Sequence, residues 1–488
     1  MEEGSHPTVA RVGLLLGPLA CAALLLMGPI EGLHPVGQRT LAVTAWLAVW
    51  WFTEPIPSGL ASLLPLAMFP ALGIMGADAV ARGYQRDPIF LFLGGFLVAL
   101  AAEHCGLHRR MAQAVLRTFG TSPRKLLFGY LAAVSFISWW FSNTATTLLF
   151  LPSARAIADH AGAGTDASRR FGSAILLGTA LASSIGGMAS PIGTVPNTIL
   201  VGQIGGIGFS EWMRVGIPVW LILIAVLWVV MTFVSVRIPK DLPIPAADAG
   251  EPSPLSRDEK RVAAVFLAMV SLWFFREGLD VGAFRMRGWG DALAEMGWLP
   301  KEAASMVKDG TVAVAAAVLL AVLPSQNGGK LLTRDHMKAA PWDVLVLLGS
   351  SFALADAFEL PKNDPGSLSS WIAASLRGLT EQPLAVQLAT MALVVTFFGE
   401  FASNIACAAL LVPIGIAIAK STGADPLVYG FTITLATSCS FMLPVGTPPN
   451  ALVYATGRIP LRMMLLNGVI MDVVGALVVA GVVGWVRT

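Results

Sequence analysis

The chain has 488 residues, 55% of them hydrophobic and 13% charged, with a formal charge of +2 and a mean hydropathy of +0.71. That balance excludes an ordinary soluble globular protein and identifies an integral membrane protein. Near-neutral charge, with basic residues scattered through short loops, also excludes a nucleic-acid-binding surface.

The first predicted element, LLLGPLACAALLLMGPI, follows a polar head, MEEGSHPTVAR. The head carries two glutamates against one arginine and the apolar run exceeds a secretory signal's core, so the segment reads as an uncleaved first transmembrane helix. Residues 12–30, 214–236 and 463–486 are each long enough to cross a ~30 Å hydrocarbon core as a helix of about 20 residues. In EHCGLHRR, residues His104, Cys105 and His108 fall in a basic interfacial turn, and no metal site is expected there. Cys21, Cys105, Cys407 and Cys439 lack paired spacing and read as free thiols.

Basic residues gather at Arg109, Arg110, Arg124 and Lys125, and again at Arg237, Lys240, Arg257, Lys260 and Arg261. The positive-inside tendency places both groups on the cytoplasmic side. Residues 241–261, DLPIPAADAGEPSPLSRDEKR, form the main composition break and read as a solvated loop between two membrane halves. Residues 276–310 mix charges with tryptophans, which suits an interfacial segment.

The halves repeat. SNTATTLLFLP (142–152) aligns without gaps to SNIACAALLVP (403–413), and SPIGTVPNTILV (190–201) aligns to LPVGTPPNALVY (443–454). Upstream, FLGGFLVALAAE (92–103) resembles LLGSSFALADAFE (347–359). Three blocks in the same order point to a duplicated membrane unit, and secondary transporters are commonly built from two inverted repeats with the binding site between them.

Between Lys125 and Arg155, two arms of about 15 residues, ~22 Å each at 1.5 Å per residue, are too short to span the core singly. A re-entrant hairpin with Ser142 and Asn143 at its tip is expected, and a second one over residues 384–419 with Ser403 and Asn404 at its tip. In GTVPN and GTPPN, Gly frees the backbone and Pro removes an amide donor, so helices should break there and expose carbonyls. Carbonyl, Asn and Ser oxygens are hard ligands suited to sodium. Amides at the start of a half-helix favour an anion such as a carboxylate. Because the motifs hold no Asp, Glu, Lys or Arg, a bound anion would be balanced mainly by bound cations, a physical reason for obligatory co-transport.

These residues resemble the divalent anion/sodium symporter family, which carries di- and tricarboxylates or sulfate. The resemblance rests on SCSFMLPVGTPPNALV (438–453), on WWFTEPIPSGLASLLPLAMFPALGI near the start, and on the paired tips and breaks, and so covers most of the chain. It implies an all-α polytopic homodimer of the elevator type, with two inverted repeats, two re-entrant hairpins and broken helices. The implied division is N-terminal scaffold helices (1–124), a first-repeat transport part (125–240), the linker (241–261), second-repeat scaffold helices with the interfacial segment (262–380), and a second-repeat transport part (381–488).

Matching motif positions, the resemblance implies a first sodium site at Ser138, Ser142, Asn143 and Gly193, and a second at Gly399, Ala402, Asn404 and Gly446. It implies substrate contacts from Asn143, Thr144, Thr194, Ser403, Asn404, Ile405, Thr447 and Pro448. Two positions depart from the family pattern. Ile405 stands where bacterial members with two SNT tips have Thr, and Gly399 where many relatives have Thr.

The expected function is sodium-coupled symport of a divalent anion across the cytoplasmic membrane, with sodium co-transported and no organic cofactor. A C4 dicarboxylate such as succinate, fumarate or malate is the first choice. A sodium-independent dicarboxylate exchanger, or a symporter of citrate or sulfate, is the alternative. Glu54 in WFTEPIP and Glu400 in GEFASN read equally as proton relays or as structural hydrogen-bonding groups. No nucleophile with its base and no metal-ligand spacing marks the chain as an enzyme, and GGK at 328–330 lacks the spacing of a phosphate-binding loop.

Overall fold

Long apolar runs satisfy their backbone polar groups most simply as helices, and among the described residues the regular elements are helices apart from one short hairpin of strands. The computed structural model describes residues 7–487 except 112–121, 163–164, 206, 240–253, 277–278, 282–283, 287, 299, 301–305 and 363. The principal helices are α1 (Pro7–Leu26), α2 (Pro35–Thr53), α3 (Asp87–His104), α4 (Pro123–Ile137), α5 (Asn143–Gly162), α6 (Asp166–Gly187), α7 (Val195–Ile204) and α8 (Phe209–Val229). In the second half they are α9 (Arg257–Phe274), α10 (Asp309–Val322), α11 (Trp342–Phe358), α12 (Leu384–Gly399), α13 (Asn404–Thr422), α14 (Pro426–Thr437), α15 (Pro448–Tyr454) and α16 (Leu461–Arg487).

Among the described residues, five stretches are long and apolar enough to cross a membrane: Thr8–Leu26, Ala77–His104, Phe209–Ser235, Asn404–Thr422 and Leu461–Arg487. The second of these includes a short helix ahead of α3, and the third continues α8 into a π-helical turn, Val230–Ser235. Helix α2 stops at Glu54, which takes a left-handed backbone (φ 43°, ψ 52°) while its N–H bonds Trp50 O. Pro55 follows and cannot continue the helix.

Helix–turn–helix hairpins stand at both expected tips. Helices α4 and α5 meet at residues 138–142, and α12 and α13 meet at residues 400–403. One arm of each is longer than the expected length of about 15 residues: α5 runs for 20, through Pro152, and α13 for 19, the latter long and apolar enough to cross a membrane by itself. Both broken helices are present too, α6 yielding to α7 and α14 to α15. The halves interlock: α7 packs on α13 and α14, while α15 packs on α5 and α6.

Hydrogen bonds draw the segments of the two basic clusters together among the described residues, Lys240 lying outside them. Arg110 Nε donates to Glu259 Oε1 at 2.5 Å, and Arg124 Nε donates to Ile238 O at 2.9 Å. The expected linker 241–261 lies outside the described residues as far as 253, and its last five residues already belong to α9, which opens on a capping box between Ser256 and Glu259. In the segment 276–310, strands β1 (Leu279–Val281) and β2 (Phe284–Met286) pair antiparallel, and a short helix follows at Trp289–Glu295.

Candidate functional site

The first tip is built by helix ends. Helix α4 ends with Ser138 as its C-cap. Ser138 Oγ donates to Asn143 Oδ1 at 2.9 Å. Ser142 Oγ accepts the amide of Ala145 at 3.2 Å, which caps the start of α5. The polar cluster then divides by direction. Ser142, Asn143 and Thr144 reach a central cavity, whereas Thr146 and Thr147 are buried, and Thr147 Oγ1 bonds Ser183 Oγ on α6 at 2.9 Å. The last contact is interhelical packing of the ordinary membrane kind.

The first break stands opposite this tip. Thr194 is extended (φ −147°, ψ 150°) and Pro196 occupies the first turn of α7, where its missing N–H costs nothing. Asn197 donates to Gly187 O at 2.8 Å and to Ser190 O at 2.7 Å, so the Asn of this motif closes the break by capping carbonyls. Gly193 is required by close approach: a Cβ there would lie 2.6 Å from Gly187 O and 3.0 Å from Ser138 O. Several oxygens therefore converge beside Gly193 and Asn143 without any charged side chain.

The second break follows the same plan, while at the second tip Ser403 begins α13 without a side-chain cap. Thr447 is extended and its side chain accepts the Asn450 amide. Asn450 donates to Leu443 O at 3.0 Å and to Ser440 O at 3.3 Å. Here, however, two fully buried acidic residues fasten the segment before the break. Glu400 Oε1 accepts the Met442 amide at 2.8 Å and Oε2 accepts the Leu443 amide at 2.7 Å. Asp472, also fully buried on α16, accepts the Phe441 amide at 2.9 Å. Of the two readings of Glu400, this geometry supports the hydrogen-bonding one.

The corresponding contact in the first half is aromatic. Trp139 precedes Ser142 by three residues, as Glu400 precedes Ser403. Its ring meets Trp220 of α8 edge-on at 4.9 Å. Sequence reasoning found Glu400 but missed Asp472, which lies inside an otherwise apolar helix. An isolated acid in such a run was the available signal.

Tips and breaks face one another across a cavity of about 790 Å³. Its walls include Ser142, Asn143, Thr144, Gly193 and Thr194 from the first half, and Ala402, Ser403, Asn404, Ile405, Gly446, Thr447 and Pro448 from the second. Ser138 and Gly399 are the two candidates that do not reach it, and each lies just behind its tip Asn. Helix α3 contributes Phe92, Gly95, Phe96 and Ala99, and α2 with its C-cap contributes Trp51, Phe52 and Glu54. Among these described walls there is no Lys or Arg, and Glu54 is the charged residue.

A helical membrane fold whose hairpin tips and helix breaks converge on one central cavity defines a transporter, and neither an enzyme nor a soluble binding module. The chain belongs to the family described as the sodium:sulfate symporter transmembrane region, whose model matches residues 10–487. It is 32% identical over 501 residues to the sodium-dependent dicarboxylate transporter SdcS of Staphylococcus saprophyticus, covering 99% of this chain and 92% of that protein. A Staphylococcus aureus protein of the same name is 32% identical over 494 residues, covering 97% and 91%. Among solved structures, the crystal structure of the Alcanivorax borkumensis YdaH transporter aligns with a TM-score of 0.55 at 15% identity over 98% of both chains, a likeness of fold. The protein is a multi-pass integral protein of the cytoplasmic membrane.

Proposed function

We propose that this protein is a sodium-coupled symporter of a C4 dicarboxylate such as succinate, fumarate or malate. One observation carries the reading: a cavity walled by Asn, Ser and Thr side chains and helix starts, with no cationic side chain among its described walls. A dianion held there needs its charge balanced, and co-bound sodium supplies that balance. The names of the staphylococcal relatives support both the cation and the substrate class.

In this reading Ser138, Ser142, Asn143 and Gly193 hold one sodium, and Gly399, Ala402, Asn404 and Gly446 a second. Asn143, Thr144, Thr194, Ser403, Asn404, Ile405, Thr447 and Pro448 face the two carboxylates, whose separation matches tips on opposite sides of a cavity better than compact sulfate does. The tips are re-entrant, the halves are inverted repeats, and residues 125–240 and 381–488 move as the transport part of an elevator against a dimeric scaffold made of 1–124 and 262–380.

Uptake of labelled succinate into empty proteoliposomes, with and without an inward sodium gradient, tests the proposal. Accumulation only with sodium outside is expected. Accumulation that instead requires dicarboxylate inside, and ignores sodium, would establish an exchanger and overturn the symport reading.

A further inference from the structure

Gly399 leaves the second tip without the side-chain hydroxyl that Ser138 supplies to the first. Ser138 lies four residues before Ser142, and Gly399 lies four residues before Ser403. The two breaks, registered on Gly193 and Gly446, pair Gly187 with Ser440, each six residues earlier. The hydroxyl and the glycine have therefore changed places between the halves. In the first half the hairpin carries Ser138 and the break carries Gly187; in the second the hairpin carries Gly399 and the break carries Ser440.

The contacts match this exchange. Ser138 Oγ donates to Asn143 Oδ1 at 2.9 Å, and a Cβ on Gly187 would run into that same Asn143 oxygen. Ser440 is fully buried. Its Oγ faces Asn404 Oδ1 at 3.2 Å and Thr437 O at 3.4 Å. A Cβ on Gly399 would lie 2.6 Å from Ser440 Oγ, with the next neighbours at 3.7 Å and 3.9 Å. Each tip Asn thus has one serine hydroxyl on its side-chain oxygen, delivered by the hairpin in the first half and by the segment before the break in the second. With its one proton taken by these carbonyl-type oxygens, Asn143 for Ser138 and Asn404 or Thr437 for Ser440, each hydroxyl keeps its lone pairs free to meet a cation.

We infer that Ser440 supplies the hydroxyl ligand of the second sodium site and so replaces the side chain that Gly399 lacks. This rests on the proposed reading of the second tip as a sodium site. It adds a residue that lies outside the cavity walls and that the tip motif does not contain.

The test is a relocation of the hydroxyl, with succinate uptake into proteoliposomes measured against sodium concentration. Ser440→Ala should raise the sodium concentration for half-maximal uptake about tenfold or more, while KM for succinate at saturating sodium changes less than about threefold. Gly399→Ser alone should also impair uptake, because its Cβ would press on Ser440 Oγ. The double variant Gly399→Ser/Ser440→Gly should return the sodium dependence to within about threefold of the parent, since the crowded oxygen is gone and the hydroxyl is restored on the hairpin.

Ser440→Ala within twofold of the parent, or a double variant no better than Ser440→Gly, overturns the inference. Should Ser440→Ala not yield folded protein, thermal stabilisation of the purified double variant by sodium decides: a shift like the parent's is expected, and its loss overturns the inference. A parent protein indifferent to sodium instead overturns the proposed function itself, and this inference with it.

Discussion

Glu400→Gln changes one atom's chemistry at nearly constant volume, in a place the solvent does not reach. Both oxygens of Glu400 are in use, one on the Met442 amide at 2.8 Å and one on the Leu443 amide at 2.7 Å. A glutamine offers one acceptor, so one of the two amides must face an NH₂ group and go unpaired. An orphaned buried donor costs ~1–3 kcal/mol, a large share of the ~5–15 kcal/mol by which folded proteins are typically stable. Glu400→Leu orphans both amides and should cost about 2–6 kcal/mol on the same scale. The assay is thermal unfolding of the purified protein in detergent, followed by tryptophan fluorescence. The expected order of midpoints is parent, then Gln, then Leu. A Leu variant that melts with the parent would refute the reasoning, because the amides would then not depend on this side chain.

Three further outcomes are expected. Asn143→Ala deletes an oxygen that Ser138 engages at 2.9 Å, and Asn143→Asp adds a negative charge beside the substrate; both should nearly abolish sodium-driven uptake while the protein still purifies folded, and parental sodium dependence in either one would sink the assignment. Ile405→Thr should move citrate up the ranking of competitors against labelled succinate, since the second tip would then present a hydroxyl as the first does with Thr144; an unchanged ranking removes the role given to Ile405. Burial, reinforced by the neighbouring His104 ring at 5.0 Å, holds His336 below its ordinary 6.5 while its Nδ1 accepts the Thr333 amide. The native state then binds fewer protons than the unfolded one, so stability should fall as pH drops below about 6.5, and His336→Gln should flatten that slope in melts between pH 7 and 5.

What could be read beforehand depended on how far apart the partners stand in the sequence. The tips and breaks were legible because Ser142–Asn143 and Ser403–Asn404 interrupt apolar runs twice in the same order, and because Gly and Pro act locally. Thr146 and Thr147 belong to the same polar cluster but turn into the packing around α6, a direction that only the helix phase at the tip decides. Ser440 was hidden since the hairpins and the breaks repeat at different offsets, so no single alignment sets Ser440 and Gly187 beside Gly399 and Ser138. Asp472 meets the Phe441 amide across 31 residues, a pairing that no periodicity announces. The strands at Leu279–Val281 and Phe284–Met286 are too short for alternation to declare them.

The interlocking of the halves sets a timetable for synthesis. Helix α5 is complete by residue 162, whereas α15, which covers part of it, begins at residue 448. At ~5–20 residues per second, nearly 300 residues of further translation take about 15–60 s. Throughout that interval the flank of α5 awaiting α15 has no partner from its own chain, and the reverse contact of α7 with α13 is likewise still to come. A ribosome-bound first half therefore carries a hairpin finished in sequence but unfinished in packing. Lipid or the insertion machinery has to shield that face until the last hundred residues arrive.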